Sequence, residues 1–293
     1  MVKKDISYLK QKNLLHMENI YKIYDGKVVL NDIDLSVSKG ELCTVVGPSG
    51  CGKSTLLRLI LGQERPDKGE IFIEGKPVGF ASKDRGIVYQ KYSLFPHLSV
   101  IENVIIGKKF TAGLFAKKQV FIEEGMEYLK RVRLDAHYNK YPHELSGGMQ
   151  QRVAIAQSLI MKPKILLMDE PFGALDPGTR EDIQVFLLEL WEDIKMNIFF
   201  VTHDLEEAVF LGTRIIVLSQ FYTDGLPNDQ NTPKGAKIVA DHALERIAAS
   251  TTVKKSIKNR ELIEQIKLDG FSPEYLQRIS EFNLRHPDSF QTI

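Results

Sequence analysis

Apolar and polar residues alternate along positions 14 to 39, interrupted by the turn pairs Asp25-Gly26 and Lys39-Gly40, and this period of two predicts antiparallel strands. The run from Glu41 to Val46 is short, apolar and rich in β-branched residues, so it reads as a strand; Leu56 to Leu61 has helix-forming composition. Ile71 to Gly75 and Gly86 to Tyr89 read as further strands. From Ser99 to about Tyr138 the pattern turns helical, with Glu123-Glu124 and Lys130-Arg131 supplying exposed polar faces. Ile165 to Met168 and Ile198 to Val201 are continuous apolar runs, as expected of parallel strands covered on both faces. Between them, Arg180 to Lys195 reads as an amphipathic helix. The pattern predicts an α/β core with a helical insertion between residues 90 and 160.

Beyond Phe221 the pattern changes. Residues Phe221 to Lys237 are turn-rich, with Pro227, Pro233 and several Asn, Asp and Gly residues. Ala243 to Arg285 returns to helical pattern with nearly balanced charge. A mainly helical extension over 221–293 is the expectation.

Composition narrows the class. At 293 residues the chain holds one large domain or two unequal ones. Its net charge of +1 announces no basic face, which argues weakly against nucleic acid as a direct partner. No stretch reaches the roughly 18 to 20 apolar residues that span a bilayer. The segment Met1 to Ile6 lacks the apolar core and cleavage site of a signal peptide. Membrane association is therefore expected through a partner, from the cytoplasmic side. The two cysteines, Cys43 and Cys51, make no disulfide framework.

Chemistry enters with Gly47-Pro48-Ser49-Gly50-Cys51-Gly52-Lys53-Ser54-Thr55, which matches G-x-x-x-x-G-K-[ST] between a predicted strand and a predicted helix. Glycines at 47, 50 and 52 let the backbone turn successive N–H groups inward on a phosphate chain, and the helix end adds its positive dipole. Lys53 is then placed for the β- and γ-phosphates, and the Ser54 hydroxyl for Mg²⁺. Cys51 is either a thiol activated by helix-end electrostatics or a small residue that fits the loop.

Asp169 and Glu170 follow the apolar strand Ile165 to Met168. Asp169 would emerge at the carboxyl edge of the sheet and hold Mg²⁺ directly or through water. Glu170, pointing differently, is the candidate general base for an attacking water.

With Leu145-Ser146-Gly147-Gly148-Met149-Gln150-Gln151 added, the three segments resemble the ATP-binding cassette (ABC) ATPases over roughly residues 14 to 220. The resemblance implies a P-loop NTPase core with an antiparallel β subdomain and a helical signature subdomain at about 91–160. It implies ATP and Mg²⁺, with Gln90 sensing the metal and the transport partner. Tyr24 matches the aromatic that stacks on adenine, and His203, after the strand Ile198 to Val201, matches the switch histidine that contacts the γ-phosphate. Ala174-Leu175-Asp176 matches the loop across a dimer seam.

Ser146, Gly147 and Gly148 precede a helix expected to begin near Met149, so they form a second anion-binding helix end, with Gln150 beside it. If the family's geometry holds, each copy's signature closes over ATP bound by the other, in a head-to-tail dimer. Hydrolysis then opens the seam.

Lys91 to Val104 resembles the importer segment that receives a cytoplasmic helix of a membrane permease, with Phe95, Pro96 and Leu98 lining the groove; an ordinary buried loop-to-helix transition is the plain alternative. The Phe-Gly-Ala-Leu-Asp-Pro segment and the motif spacing place the chain nearest the nitrate, sulfonate and taurine importers. A solute-binding protein would then be an indirect partner. A soluble ABC ATPase acting on nucleic acid or the ribosome is the alternative from another class; a cassette driving export or lipid movement shares the same motor chemistry.

Overall fold

The computed structural model describes residues 12–91, 93–111, 118–223, 234–244 and 257–291. From the amino end the chain forms β1 (Leu15–Tyr24), β2 (Lys27–Val37), β3 (Leu42–Val46), α1 (Lys53–Leu61), β4 (Lys68–Ile73), β5 (Lys76–Pro77) and β6 (Arg85–Tyr89). Helices α2 (Val100–Thr111), α3 (Lys118–Arg131) and α4 (Gly147–Leu159) follow, then β7 (Ile165–Asp169), α5 (Pro177–Ile194), β8 (Asn197–Val201), α6 (Leu205–Leu211) and β9 (Arg214–Ser219). The remainder holds β10 (Tyr222–Thr223), β11 (Lys237–Ala243), α7 (Ile257–Gly270), β12 (Gln277–Arg278) and β13 (Asn283–Leu284). The chain divides into two compact units, Met1–Ala81 with Met196–Ile293, and Ser82–Lys195.

In the first unit, β2, β1, β4 and β5 make an antiparallel sheet in that order. Alternation buries Leu15 and Met17 on one face of β1, and an irregularity at Asn19, with φ of 51°, brings Ile20 back to that face opposite Ile33. Asp25 and Gly26 turn the hairpin with φ of 48° and 79°, the left-handed pair that matches strand twist.

The second sheet of this unit runs β13-β11-β9-β3-β8. Strand β3 lies between β8 and β9, parallel to both, and every residue of β3 and β8 is buried. That double-sided burial is why their sequences are apolar apart from Thr44, whose hydroxyl is hydrogen-bonded to Ala208 O and Arg214 O, and Asn197 at the start of β8. Helix α1 buries Leu56, Leu57, Leu59 and Ile60 and ends at Gly62, whose φ of 79° closes the helix.

The described part of the extension is mixed, with strands beside the expected helix. Strand β11 pairs antiparallel with β9, β13 pairs parallel with β11, and the tail described also holds the α-helix α7 and a 3-10 turn at Ile279–Glu281. The physical reason is burial: Ile238, Val239 and Ala240 extend the sheet, and Ile266 of α7 packs with Val217, Val239 and Ala240 over it. Residues 245–256 of the predicted helical stretch, and 224–233 of the turn-rich one with Pro227 and Pro233, lie outside the described residues.

In the second unit β6 and β7 are parallel, with Tyr89 paired to Asp169. Helices α2 and α3 form the predicted helical stretch. Ser99 and Glu102 cap α2 reciprocally: the Glu102 carboxylate accepts from Ser99 N at 3.1 Å, and the Ser99 hydroxyl accepts from Glu102 N at 3.4 Å. Helix α4 buries Val153, Ile155 and Ala156, and α5 buries Phe186, Leu187 and Trp191. Among the described residues no helix is long and apolar enough to cross a membrane.

Candidate functional site

The phosphate loop joins β3 to α1 in the first unit. Gly47, Gly50 and Gly52 all take positive φ, at 156°, 78° and 103°. A Cβ on Gly47 would lie 2.1 Å from Leu218 O, and one on Gly52 would lie 2.8 Å from Leu30 Cδ2, so neither position has room for a side chain. Cys51 N donates to Pro48 O at 3.2 Å, closing the loop. The Lys53 ammonium donates to Gly47 O at 2.8 Å and Pro48 O at 3.0 Å, which folds the side chain along the loop. Gly52 is the N-cap, so the first N–H groups of α1, from Lys53 through Thr55, have no acceptor inside the helix. Cys51 is 2 % exposed, and burial pushes its thiol up despite the opposing pull of Lys53. It is a small buried residue that fits the loop, and the activated-thiol alternative is set aside.

His203 leaves the carboxyl end of β8, the strand beside β3. Thr202 N donates to Val45 O at 3.2 Å, extending the ladder to the residue before His203. The Thr202 hydroxyl donates to Glu207 at 2.5 Å, and the Asp204 carboxylate accepts from Glu207 N at 3.1 Å. The backbone on both sides of the exposed His203 is thereby fixed. Tyr24 ends β1; its hydroxyl donates to Glu64, and Lys22 Nζ stands 5.1 Å from its ring centre. Burial, then the Glu64 bond, raises the Tyr24 pKa.

In the second unit, Gln90 and Asp169 emerge from the paired ends of β6 and β7. Glu170 takes φ of 46°, an uncommon conformation for a side-chain-bearing residue, which turns it away from the direction of Asp169. Gly173 N donates to Glu170 O at 3.2 Å, and a Cβ on Gly173 would lie 2.9 Å from Gln90 Nε2. Gln90 and the Asp169-Glu170 turn therefore form one local group.

Ser146 N-caps α4, its hydroxyl accepting from Met149 N at 3.4 Å. The helix begins at Gly147, two residues before the expected Met149, because capping by Ser146 makes Gly147 and Gly148 its first residues. The Gln150 amide donates to Pro142 O at 3.0 Å and Leu145 O at 3.2 Å, so it braces the loop from within. Asp176 caps α5 by accepting from Thr179 N at 3.0 Å; the Thr179 bonds lower its pKa. A Cβ on Gly148 would lie 2.5 Å from Thr179 Cγ2, so the starts of α4 and α5 touch.

Sequence reasoning missed Asn103, which is fully buried in α2. Its amide accepts from Phe95 N at 2.7 Å and donates toward Phe95 O, Leu98 O and Ser99 O at 3.1, 3.0 and 3.1 Å, fixing the loop after Gln90. Beside it is a groove of about 400 Å³ whose lining includes Ser99, Ile101, Glu102, Ile105 and Tyr141, and Phe95 on this loop is 41 % exposed. An amide residue between apolar pairs, beside the capping Glu102 in Val100 to Ile106, was the available signal.

Residues 30–173 match the family model for ABC transporters. The chain is 41 % identical over 263 residues to the nitrate import ATP-binding protein of Synechocystis, covering 85 % of this chain and 98 % of that protein. It is 43 % identical over 213 residues to the spermidine/putrescine import ATP-binding protein of Mycoplasma capricolum; the match covers 72 % of this chain but 60 % of that relative's length. A solved dimeric ATP-binding cassette, in a post-hydrolysis state bound to ADP and Pi, superposes with a TM-score of 0.64 at 31 % identity, over 80 % of this chain and 100 % of its own. The chain belongs to the ABC transporter ATP-binding family.

Proposed function

We propose that the chain is the ATP-hydrolysing subunit of an importer, working as a head-to-tail pair under membrane-spanning permease subunits on the cytoplasmic face. Supporting this, the nitrate import relative matches over 98 % of its length, whereas the polyamine import relative extends well beyond the match. The cargo reading follows the same relative: nitrate or a small oxyanion such as a sulfonate, delivered by a solute-binding protein. The cassette is assigned to residues 14–220, with 221–293 as an extension.

The residues suit ATP and magnesium. The glycine positions that exclude a Cβ leave backbone N–H groups for phosphate oxygens, and Ser54 with Asp169 offers the hard oxygen donors Mg²⁺ takes alongside substrate phosphates. When bound, Mg²⁺ neutralises charge on the phosphates. In this reading Lys53 and the loop from Gly47 to Thr55 bind the phosphate chain, and Tyr24 stacks on adenine. Gln90 contacts the metal and senses the permease. Glu170 takes a proton from the attacking water, and His203 holds the γ-phosphate oxygens. Ser146, Gly147 and Gly148 close over the nucleotide of the second copy, with Asp176 at the seam. Such catalysis is positioning plus charge stabilisation, so each contact is worth a sizeable factor in rate.

A gentle detergent pull-down of the tagged protein from its native membranes, with ATPase assayed on the eluate, tests the reading. Recovery of a polytopic permease whose presence stimulates hydrolysis is expected. Recovery of ribosomes or DNA with no membrane partner would overturn it.

A further inference from the structure

Two adjacent residues of α4 leave the helix for different partners. The Ser158 hydroxyl donates to Ile87 O at 2.9 Å, on the strand that ends just before Gln90. Gln157 Nε2 donates to Asn103 O at 3.1 Å. Asn103 is the residue whose amide holds Phe95, Leu98 and Ser99, and its two amide hydrogens are spread over three carbonyls. One side chain therefore sets the shape of the loop, and the backbone carbonyl of that same residue is tied to the helix that starts at the signature.

Helix α4 is a rod: from Gly147 to Gln157 it runs about 15 Å at 1.5 Å per residue. Displacement at its signature end is delivered to Gln157 with little loss, because side chains such as Val153 and Ile155 are packed along it. Gln157 itself is only half-buried, so its bond to Asn103 adds little to the core.

We infer that the Gln157–Asn103 hydrogen bond is the joint that makes the loop after Gln90 and the signature helix move as one body, with Gln157 a positioning residue for coupling. This rests on the importer reading, in which the loop meets the permease and the signature meets ATP. Helices α2 and α4 also pack on each other, so without the bond the two stay in contact but the loop loses its polar tie to α4 and its displacement reaches the signature less completely.

The test is ATP hydrolysis by the cassette alone and by the complex with its own permease in lipid nanodiscs, for wild type, Gln157→Leu and Gln157→Arg. Gln157→Leu keeps the basal rate of the isolated cassette and loses about fivefold of the permease stimulation, the scale of coupling changes made away from ligands. Gln157→Arg, which still presents an N–H at similar reach, restores stimulation. Full stimulation in Gln157→Leu would overturn the joint, as would a proportional fall of basal and stimulated rates that Gln157→Arg does not repair. A wild-type complex that its permease does not stimulate would sink the importer reading first and the joint with it, a result visible before any substitution is made.

Discussion

Gln90 Nε2 lies over the bare backbone of Gly173, where a Cβ would come within 2.9 Å of it. The glutamine that follows β6 is thus held against the turn that carries Glu170, and Gly173 is small to make room for it. Gly173→Ala should push the amide aside. Hydrolysis should fall roughly tenfold to a hundredfold, as for a misplaced positioning group, with nucleotide affinity kept. Steady-state rates alongside nucleotide titration check this; an unchanged rate would mean that the contact has no part in catalysis.

The contact between Gly148 and Thr179 gives a paired test. Gly148→Ala places a methyl within 2.5 Å of Thr179 Cγ2 and should cost about 1–3 kcal/mol of stability by overpacking. Thr179→Ser removes the opposing methyl and keeps the hydroxyl near Asp176, so the double variant should recover most of the loss. Urea unfolding of all four proteins measures the coupling, and simple additivity would remove the steric account.

The backbone geometry of the glycine loop was legible because that motif is local. The loop from Gly47 to Thr55 declares its backbone needs in nine consecutive residues, and Ser146 declares a cap. The tail was not legible in this way. Asp241 and His242 look like exposed polar residues in sequence, yet both are buried in β11, because Asp241 meets Arg214, 27 residues earlier. Asn103 with Gln157 is a similar case, a pairing across 54 positions that no window reveals.

Arg214 is fully buried, donating to both Asp241 oxygens at 2.8 and 2.6 Å, to Glu41 at 3.1 Å and to Ser36 O at 2.7 Å. These partners hold its guanidinium firmly protonated. Arg214→Met should cost about 3–5 kcal/mol, because it strands Asp241 and Glu41 without their counter-charge. Denaturant unfolding would show it, and a loss under about 1 kcal/mol would say that the network contributes little.

The tail also carries a pH dependence. Burial lowers the pKa of His242 and of His286; Asp269 and Asp241 partly oppose this at His242, and Arg214 adds to it at His286. Both folded-state values lie below the unfolded one, so the unfolded chain takes up protons first as pH falls. Their contribution is present above about pH 6.5 and is lost progressively below it. The melting temperature should drop between about pH 7.5 and 5.5, and His242→Gln should flatten the curve. A curve of the same steepness in that variant would remove His242 from the cause.

The central claim is that Glu170 activates water for hydrolysis of ATP held between two copies of the chain. Its most direct test is Glu170→Gln, assayed for hydrolysis and, by size exclusion with ATP, for dimerisation. Hydrolysis should fall about a hundredfold or more while ATP gathers the protein into a stable dimer. Near-normal hydrolysis, or a variant that stays monomeric while saturated with ATP, would contradict the account.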